Sequence, residues 1–282
     1  MFLPTEKVDT IFCFQCGFHT LSKREEVMGR GAGPSDAKFF TEKHVHRISA
    51  ATVDLGFLLE RGYAETASLK VVGDHFQLHK RQRSALMRCS AAPSKIALRA
   101  KKCVTSLEGC HLAIDGFNLI ILLEAAIGGG LIMQGADGTF RDLSSIHGSY
   151  KTVEQTLSVL EWVGEWTQSQ NVETVHWYLD SPVSNSGKLA GWVRDLSEKY
   201  QWPWDVTVTP HVDRELSQSD KVVVTSDKII LNQCEQWANL GRSMIEQERG
   251  KDRLEALWFV EMPLPEHCDI LQAMLSVLWN DG

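Results

Sequence analysis

"HLAIDGFNLI" (residues 111–120) sets an aspartate and an asparagine inside a run that otherwise reads as buried apolar chain. The first four residues form a short strand, and the apolar spacing from Phe117 to about residue 127 is that of a helix. The residues downstream repeat this passage from strand to helix. Strands are expected at "ETVHWYL" (173–179), "DVTVT" (205–209) and "KVVVTS" (221–226), and helices at 151–169, 186–200 and 228–240. "GGGLIM" and "GTFRDL" read as a loop or small hairpin. The tail supplies a further strand, "ALWFVEM", and a helix over about 266–279. Strand and helix in alternation imply an α/β fold, a parallel sheet with helices on both faces.

Upstream the pattern changes. From 48 to about 103 it is helical: Val53, Leu55, Phe57, Leu58 and Leu59 share one helix that ends near Arg61-Gly62. "AETASLKVVGDHFQLHKRQRSALMRC" (64–89) reads as helix, turn and helix, with Gly73 in the turn. The second helix is expected to start near Ser84 or a few residues earlier. Residues 1–46 show little periodicity, and "GRGAGPSD" (29–36) reads as a flexible connection. The expected organisation is therefore a loosely ordered segment (1–46), a small all-helical domain (47–106) and an α/β domain (107–282).

Hydrophobic residues make up 43% and charged residues 23%, the balance of an ordinary soluble protein. The N-terminus lacks the basic start and apolar block of a secretory signal, so no export is expected. The most apolar window (112–133) contains Asp115, Asn118, Glu124 and three consecutive glycines, which argues against a lipid-spanning helix. Seven cysteines, an odd and scattered number, suit a reducing cytoplasm. Cys13, Cys16 and His19 have the spacing of half a zinc site, but a structural zinc wants four ligands. Free thiols are expected there, not zinc.

Charge divides the chain. Residues 1–110 hold 17 Lys+Arg against 11 Asp+Glu, a balance of +6, leaving 12 against 25, or −13, for residues 111–282. Nine basic residues and one acid, Asp74, fall within 70–102. Lys80, Arg81, Arg83, Arg88, Lys101 and Lys102 are the candidate nucleic-acid contacts in this patch. The alternative is a helical hairpin with a solvated basic face.

Three acids follow three expected strands: Asp115 after "HLAI", Asp180 after "VHWYL" and Asp227 after "VVVTS". In a parallel sheet the C-terminal strand ends share one edge, where ligands bind. Each acid has a local explanation as well: Asp227 as a helix N-cap, Asp180 as a turn residue before Pro182, Asp115 as part of a tight strand-to-helix turn. Converging carboxylates repel one another, and a cation relieves that repulsion. Oxygen ligands suit Mg²⁺ or Mn²⁺, and the corresponding chemistry is activation of water for attack on a phosphodiester.

"AIDGFNLI" (113–120), "HWYLDSP" (176–182) and "VVVTSDKIIL" (222–231) resemble the acid-tipped strands of PIN/NYN-type nuclease domains. A longer resemblance covers roughly 48–240. "LLERGYAETASLKVVGDHFQLHKRQRSALMRC", "IDGFNLIILLEAAIGGG", "GTFRDLSSIHGSY" and "LDSPVSNSGKLAGWVRDL" are similar to a two-part family in which a DUF434 helical domain precedes a PIN-like DUF5616 α/β domain. The resemblance implies Asp115, Asp180 and Asp227 as metal-site acids, with Asn118 ordering the loop beside them. PIN-type sites usually carry a fourth acid, for which Glu124, Asp142 and Asp220 are candidates. Arg141 and His147 are candidate phosphate contacts or solvated loop residues. Lys188, in "SPVSNSGK" (181–188), could meet a phosphate at a helix start, although the loop lacks P-loop order.

The leading expectation is a metal-dependent nuclease, RNA favoured over DNA, with Mg²⁺ or Mn²⁺ at the acid cluster and the basic helical part gripping the phosphate backbone. The rivals are a non-catalytic nucleic-acid-binding protein on an inactive scaffold and a small-molecule phosphatase.

Overall fold

Leu112 and Ile114 turn to one side of their strand and Ala113 to the other, and all three are sealed from solvent. A strand buried on both faces needs a covering layer on each. The computed structural model describes residues 10–11, 19–20, 30–143, 150, 155–254 and 257–260. It opens with a short antiparallel pair, β1 (Thr10–Ile11) and β2 (His19–Thr20). Five helices follow: α1 (Asp36–Phe39), α2 (Glu42–Glu60), α3 (Glu65–His75), α4 (Lys80–Cys89) and α5 (Pro93–Lys102).

The α/β part then runs β3 (His111–Asp115), α6 (Gly116–Ile127), β4 (Leu131–Gln134), β5 (Phe140–Asp142), α7 (Thr156–Ser169), β6 (Thr174–Asp180) and α8 (Ser186–Tyr200). It continues with β7 (Trp204–Thr209), α9 (Val212–Ser217), β8 (Val222–Val224), α10 (Lys228–Gln233), β9 (Trp237–Ala238), α11 (Leu240–Glu248) and β10 (Trp258–Val260). The main sheet has the order β7-β6-β3-β8-β9 and is parallel throughout. Leu112, Ile114, Trp177, Leu179 and Val224 share a core with residues of α6, α7, α8 and α11. On the other face Ala113 and Val223 pack with Val212 and Leu216 of α9 and with Ile230 and Leu231 of α10.

The helical part is not a separate bead. β4 and β5 form the expected hairpin, joined by β10 in a three-stranded sheet. Along β4, Leu131 and Met133 enter the core of α2, α3 and α4, while Ile132 enters the core of the α/β part. Period-two alternation thus lets one strand serve both cores.

Four sequence expectations change. Gly73 does not make the turn between α3 and α4; it lies inside α3, and the turn is Phe76–His79, with Gln77 at φ +50°. The Arg83 guanidinium lies over the bare backbone at 73 on its way to Asp74 and the Leu78 carbonyl, and a Cβ there would displace it. Second, "GRGAGPSD" from Arg30 onward is tied down rather than flexible, and α1 and most of the first turns of α2 fall within 1–46. Gly33 N–H donates to Asp36 (2.8 Å), and Arg81 grips the same buried carboxylate through Nε and Nη2, both at 2.8 Å.

Third, the helix expected over 228–240 stops at Gln233. Lys102 Nζ donates to the carbonyls of Asn232 (3.1 Å) and Cys234 (2.8 Å), which ends α10. Trp237 is then drawn into β9, buried, with its indole N–H donating to the Arg99 carbonyl at 2.7 Å. Fourth, α9 was not expected at all. Trp162 and Trp166 are buried in α7, and Trp192 packs at the core margin. The expected tail helix (266–279), Cys13, Cys16 and His147 lie outside the described residues. Cys89, Cys103, Cys110 and Cys234 are free thiols. Among the described residues, no helix is long and apolar enough to cross a membrane.

Candidate active site

The chain leaves β3 toward β6 on one side and returns through β8 on the other, so the crevice between β3 and β8 is the point where strand order reverses. Ligands in open α/β sheets bind at this position, beyond the C-terminal strand ends. Register fixes what stands there. Ile114 pairs with Val224, which brings Asp115 level with Thr225. The Thr225 hydroxyl donates to Asp115 Oδ2 at 2.8 Å, and Asn118 N–H donates to Oδ1 at 3.4 Å.

Asn118 spans the crevice. Its Oδ1 accepts from Ser226 N–H (2.8 Å) and Ser226 Oγ (3.0 Å), so it holds the loop after β8. Asp227 caps α10, accepting from Ile229 N–H (2.7 Å) and Ile230 N–H (3.3 Å). The local explanations of Asp115 and Asp227 as caps are therefore realised alongside their convergence. Asp180 ends β6, paired with Thr209 of β7.

A fourth acid joins them. β7 runs parallel to its neighbours, so α9 starts at the same edge and carries Asp213 there. Three of the four carboxylates are raised by burial and by an acid beside them. Burial, and then Asp180 and Asp227, push Asp115 up to about 7, against the help of Thr225. Burial and Asp213 raise Asp180, while burial and Asp227 raise Asp213.

The candidates for the fourth acid lie elsewhere. Glu124 is fully buried on α6, ion-paired to Arg30 and accepting from the Tyr150 (2.6 Å) and Thr156 hydroxyls. Asp142 sits at the helical junction, its carbonyl accepting from Arg88 Nη1 at 2.6 Å. Asp220 precedes β8 and so lies toward the sheet's opposite edge. Because the fully buried Glu124 is paired with the partly buried Arg30, Glu124→Gln is expected to cost about 2 kcal/mol in thermal unfolding. The acid edge should be unaffected; a variant as stable as the parent would contradict the burial.

The candidate phosphate and nucleic-acid contacts are also placed. Arg141 is buried, held by both oxygens of Asp137 (2.7 and 2.8 Å) and donating to the Ser226 carbonyl. Lys188 is exposed, its ammonium 4.7 Å from the Trp192 ring centre. Ser184 and Asn185, before it, donate to the Tyr150 carbonyl at 3.0 and 2.7 Å. Of the basic patch, Arg81 is ion-paired to Asp36, Arg83 to Asp74 (2.7 Å) and Arg88 to Asp142 (3.8 Å), while Lys102 caps α10. Lys80 and Lys101 are exposed. Much of the patch thus binds the helices to their surroundings.

All-oxygen donors of this kind fit Mg²⁺ or Mn²⁺, which bind through one or two carboxylates and keep several waters. Among the described residues, no group of three or more His, Cys, Asp or Glu side chains is arranged to hold a metal ion alone. Asp115 and Asp180 have the raised carboxyl pKa that a cation would reverse.

Fold and edge together define a class of protein: a parallel α/β domain with an acid-lined crevice, fused through a shared core to a helical domain. The chain belongs to the two-part family in which residues 47–102 match "Protein of unknown function (DUF434)" and residues 104–243 match "Domain of unknown function (DUF5616)". It is 32% identical over 186 residues to "Uncharacterized protein MJ0935" of Methanocaldococcus jannaschii, covering 65% of this chain and 88% of that one. No solved structure matches.

Proposed function

We propose that the chain is a metal-dependent phosphodiesterase, a nuclease with RNA as the favoured substrate, acting at the edge formed by Asp115, Asp180, Asp213 and Asp227. The observation that carries this reading is the convergence of acids from β3, β6, α9 and the loop after β8 at the C-terminal edge of a sheet switch point, where burial and neighbouring carboxylates raise Asp115, Asp180 and Asp213. A buried acid at about 7 flanked by other acids is a costly arrangement that a divalent cation turns into a favourable one. The acid-tipped strands that resemble PIN/NYN nucleases support the same chemistry.

When bound, the cation supplies neutralisation of the carboxylates and polarisation of phosphoryl oxygens and attacking water. Thr225 and the Asn118 N–H hold the Asp115 carboxylate in one orientation. Asn118 fixes the height of the Ser226–Asp227 loop above the sheet. Asp180 and the exposed Asp213 flank the crevice on the β6–β7 side, where they can take a proton or orient a water.

The internal pairing of Arg81, Arg83 and Arg88 favours a second reading, phosphoryl transfer on a small phosphate ester, because it leaves fewer cations for a polynucleotide backbone. Labelled RNA, labelled DNA and p-nitrophenyl phosphate, each incubated in Mn²⁺ and in EDTA, separate the readings. Cation-dependent cleavage of RNA is the expected result. Turnover of the ester alone selects the second reading, and turnover of neither substrate class in Mn²⁺ overturns both.

A further inference from the structure

The two peptide carbonyls that bracket Asp227 are each held by a buried arginine. Arg141 Nε and Nη2 donate to the Ser226 carbonyl at 3.1 and 2.9 Å, and Arg99 Nη2 donates to the Lys228 carbonyl at 3.3 Å. Both arginines close on one carboxylate, Asp137, whose Oδ1 also accepts from Thr139 N–H (3.3 Å) and Oγ1 (2.8 Å). Arg99 Nε reaches on to Asn232 Oδ1 at 2.9 Å, on the last turn of α10.

The origins of these groups matter. Arg141 and Asp137 belong to the hairpin segment, but Arg99 comes from α5 of the helical domain. The same domain takes hold of Lys228, whose ammonium donates to Glu65 of α3 (2.9 Å) and to the Met87 carbonyl of α4 (2.8 Å). Three helices of the N-terminal part therefore act on the residue next to Asp227.

We propose that Arg99 is a positioning residue for the acid edge, and that the helical domain is built into the site by setting the Ser226–Lys228 loop through the Arg99–Asp137–Arg141 unit. This rests on the reading of Asp227 as a site acid. Burial of an Arg–Asp–Arg unit is an inefficient way to gain stability, since apolar side chains of similar volume often do as well. Its distinctive property is direction: two planar guanidinium forks with a shared carboxylate fix the carbonyls on either side of one residue.

The test is amide hydrogen exchange on the full chain, which does not depend on any activity. The amides of 226, 227 and 229–231 report directly, because they donate to Asn118, Thr225 and Asp227. Arg99→Lys keeps the charge and loses the fork; it is expected to speed exchange there about tenfold, with β3 and β6 changed less than about twofold. Arg99→Gln should do more, and Lys101→Gln, on the same helix and exposed, should do nothing. Unchanged loop exchange in Arg99→Lys overturns the proposal, as does acceleration spread evenly over β3, β6 and the loop. Mn²⁺ titration of the same variants adds a second readout: affinity is expected to fall about tenfold in Arg99→Lys, or 1.4 kcal/mol. Absence of Mn²⁺ binding in the parent sinks the metal reading, and the exchange result still decides the positioning.

Discussion

At pH 8, in the presence of a chelator, Asp115→Asn is expected to unfold at a higher temperature than the parent chain, by on the order of 3 kcal/mol of stability. The carboxyl of Asp115 titrates at about 7 in the folded chain because it is buried and faces Asp180 and Asp227. In the unfolded chain it returns to the ordinary aspartate value near 3.9. A group raised on folding contributes its full stability below the unfolded value, and loses it as pH rises through the folded one. The parent should therefore weaken steadily between about pH 4 and pH 7, and Asp180 and Asp213, raised for the same reasons, act in the same direction.

The asparagine cannot ionise, so it escapes this loss and gives back about 1 kcal/mol for an imperfectly matched hydrogen bond to Thr225 or Asn118. At pH 4 the advantage should vanish. Millimolar Mn²⁺ at pH 8 should restore the parent and leave the variant unchanged. Chelated unfolding curves at pH 4, 6 and 8 test this; equal pH slopes in both proteins would contradict the buried, repelled state of Asp115.

Asp137→Asn should have the opposite sign and a larger size. Burial opposes ionisation of Asp137, but Arg141 and then Arg99 outweigh it and hold the carboxyl well below the usual range. The carboxylate is 1% exposed, and the arginine side chains that meet it are 6% and 2% exposed. Removing its charge leaves two guanidinium groups without a counter-charge in the interior, a loss on the order of 3–5 kcal/mol. Against a typical total of about 5–15 kcal/mol, that should lower the melting temperature by roughly 10 °C.

Because the pKa of Asp137 is depressed, its contribution is present above the ordinary aspartate value and lost as pH falls through the folded one. The penalty of the variant should thus be full at pH 7. Adding Arg141→Gln to Asp137→Asn should recover part of it, since one of the stranded charges goes too. A cost below about 1 kcal/mol for the single variant would mean that the unit is solvated.

Much of this was legible in the chain, for identifiable reasons. β3, β6 and β7 showed as apolar or alternating runs, and a strict strand-helix rhythm left a parallel sheet as the solution. Three of the four edge acids stood immediately after strands. Asp213 was missed although its signal was present: it lies four residues beyond Thr209, the end of β7, on a helix of six residues too short to show a period. Glu124 was one of three candidates for the fourth acid although it lies about two to three turns along the helix from Asp115; its partner Arg30 is 94 residues away, and no local pattern announces the pairing.

The internal partners of the basic patch were hidden in the same way. Arg81 and Arg88 read as a solvated or ligand-binding face because Asp36, Leu143 and Asp142, which occupy them, are remote in sequence. Gly73 misled because a glycine lying under a neighbouring guanidinium looks identical in sequence to one demanded by a turn. Arg99 carried no signal on a helix already rich in basic residues. Local rules captured the elements and their edge; the long-range charge pairs that join the two domains needed the fold.

On the proposed reading the acid edge, Asp213 included, is a cation-dependent hydrolytic site. Its most direct measurement is the RNA cleavage rate in Mn²⁺ for the parent, Asp115→Asn, Asp213→Asn and Glu124→Gln, each verified as folded. The expected result is a fall of at least about a hundredfold, equivalent to about 3 kcal/mol of barrier, in the two aspartate variants. Glu124→Gln should stay within about threefold of the parent, under 1 kcal/mol of barrier. Parent-like cleavage by Asp115→Asn and Asp213→Asn, or loss of cleavage in Glu124→Gln alone, would place the chemistry elsewhere and contradict the account.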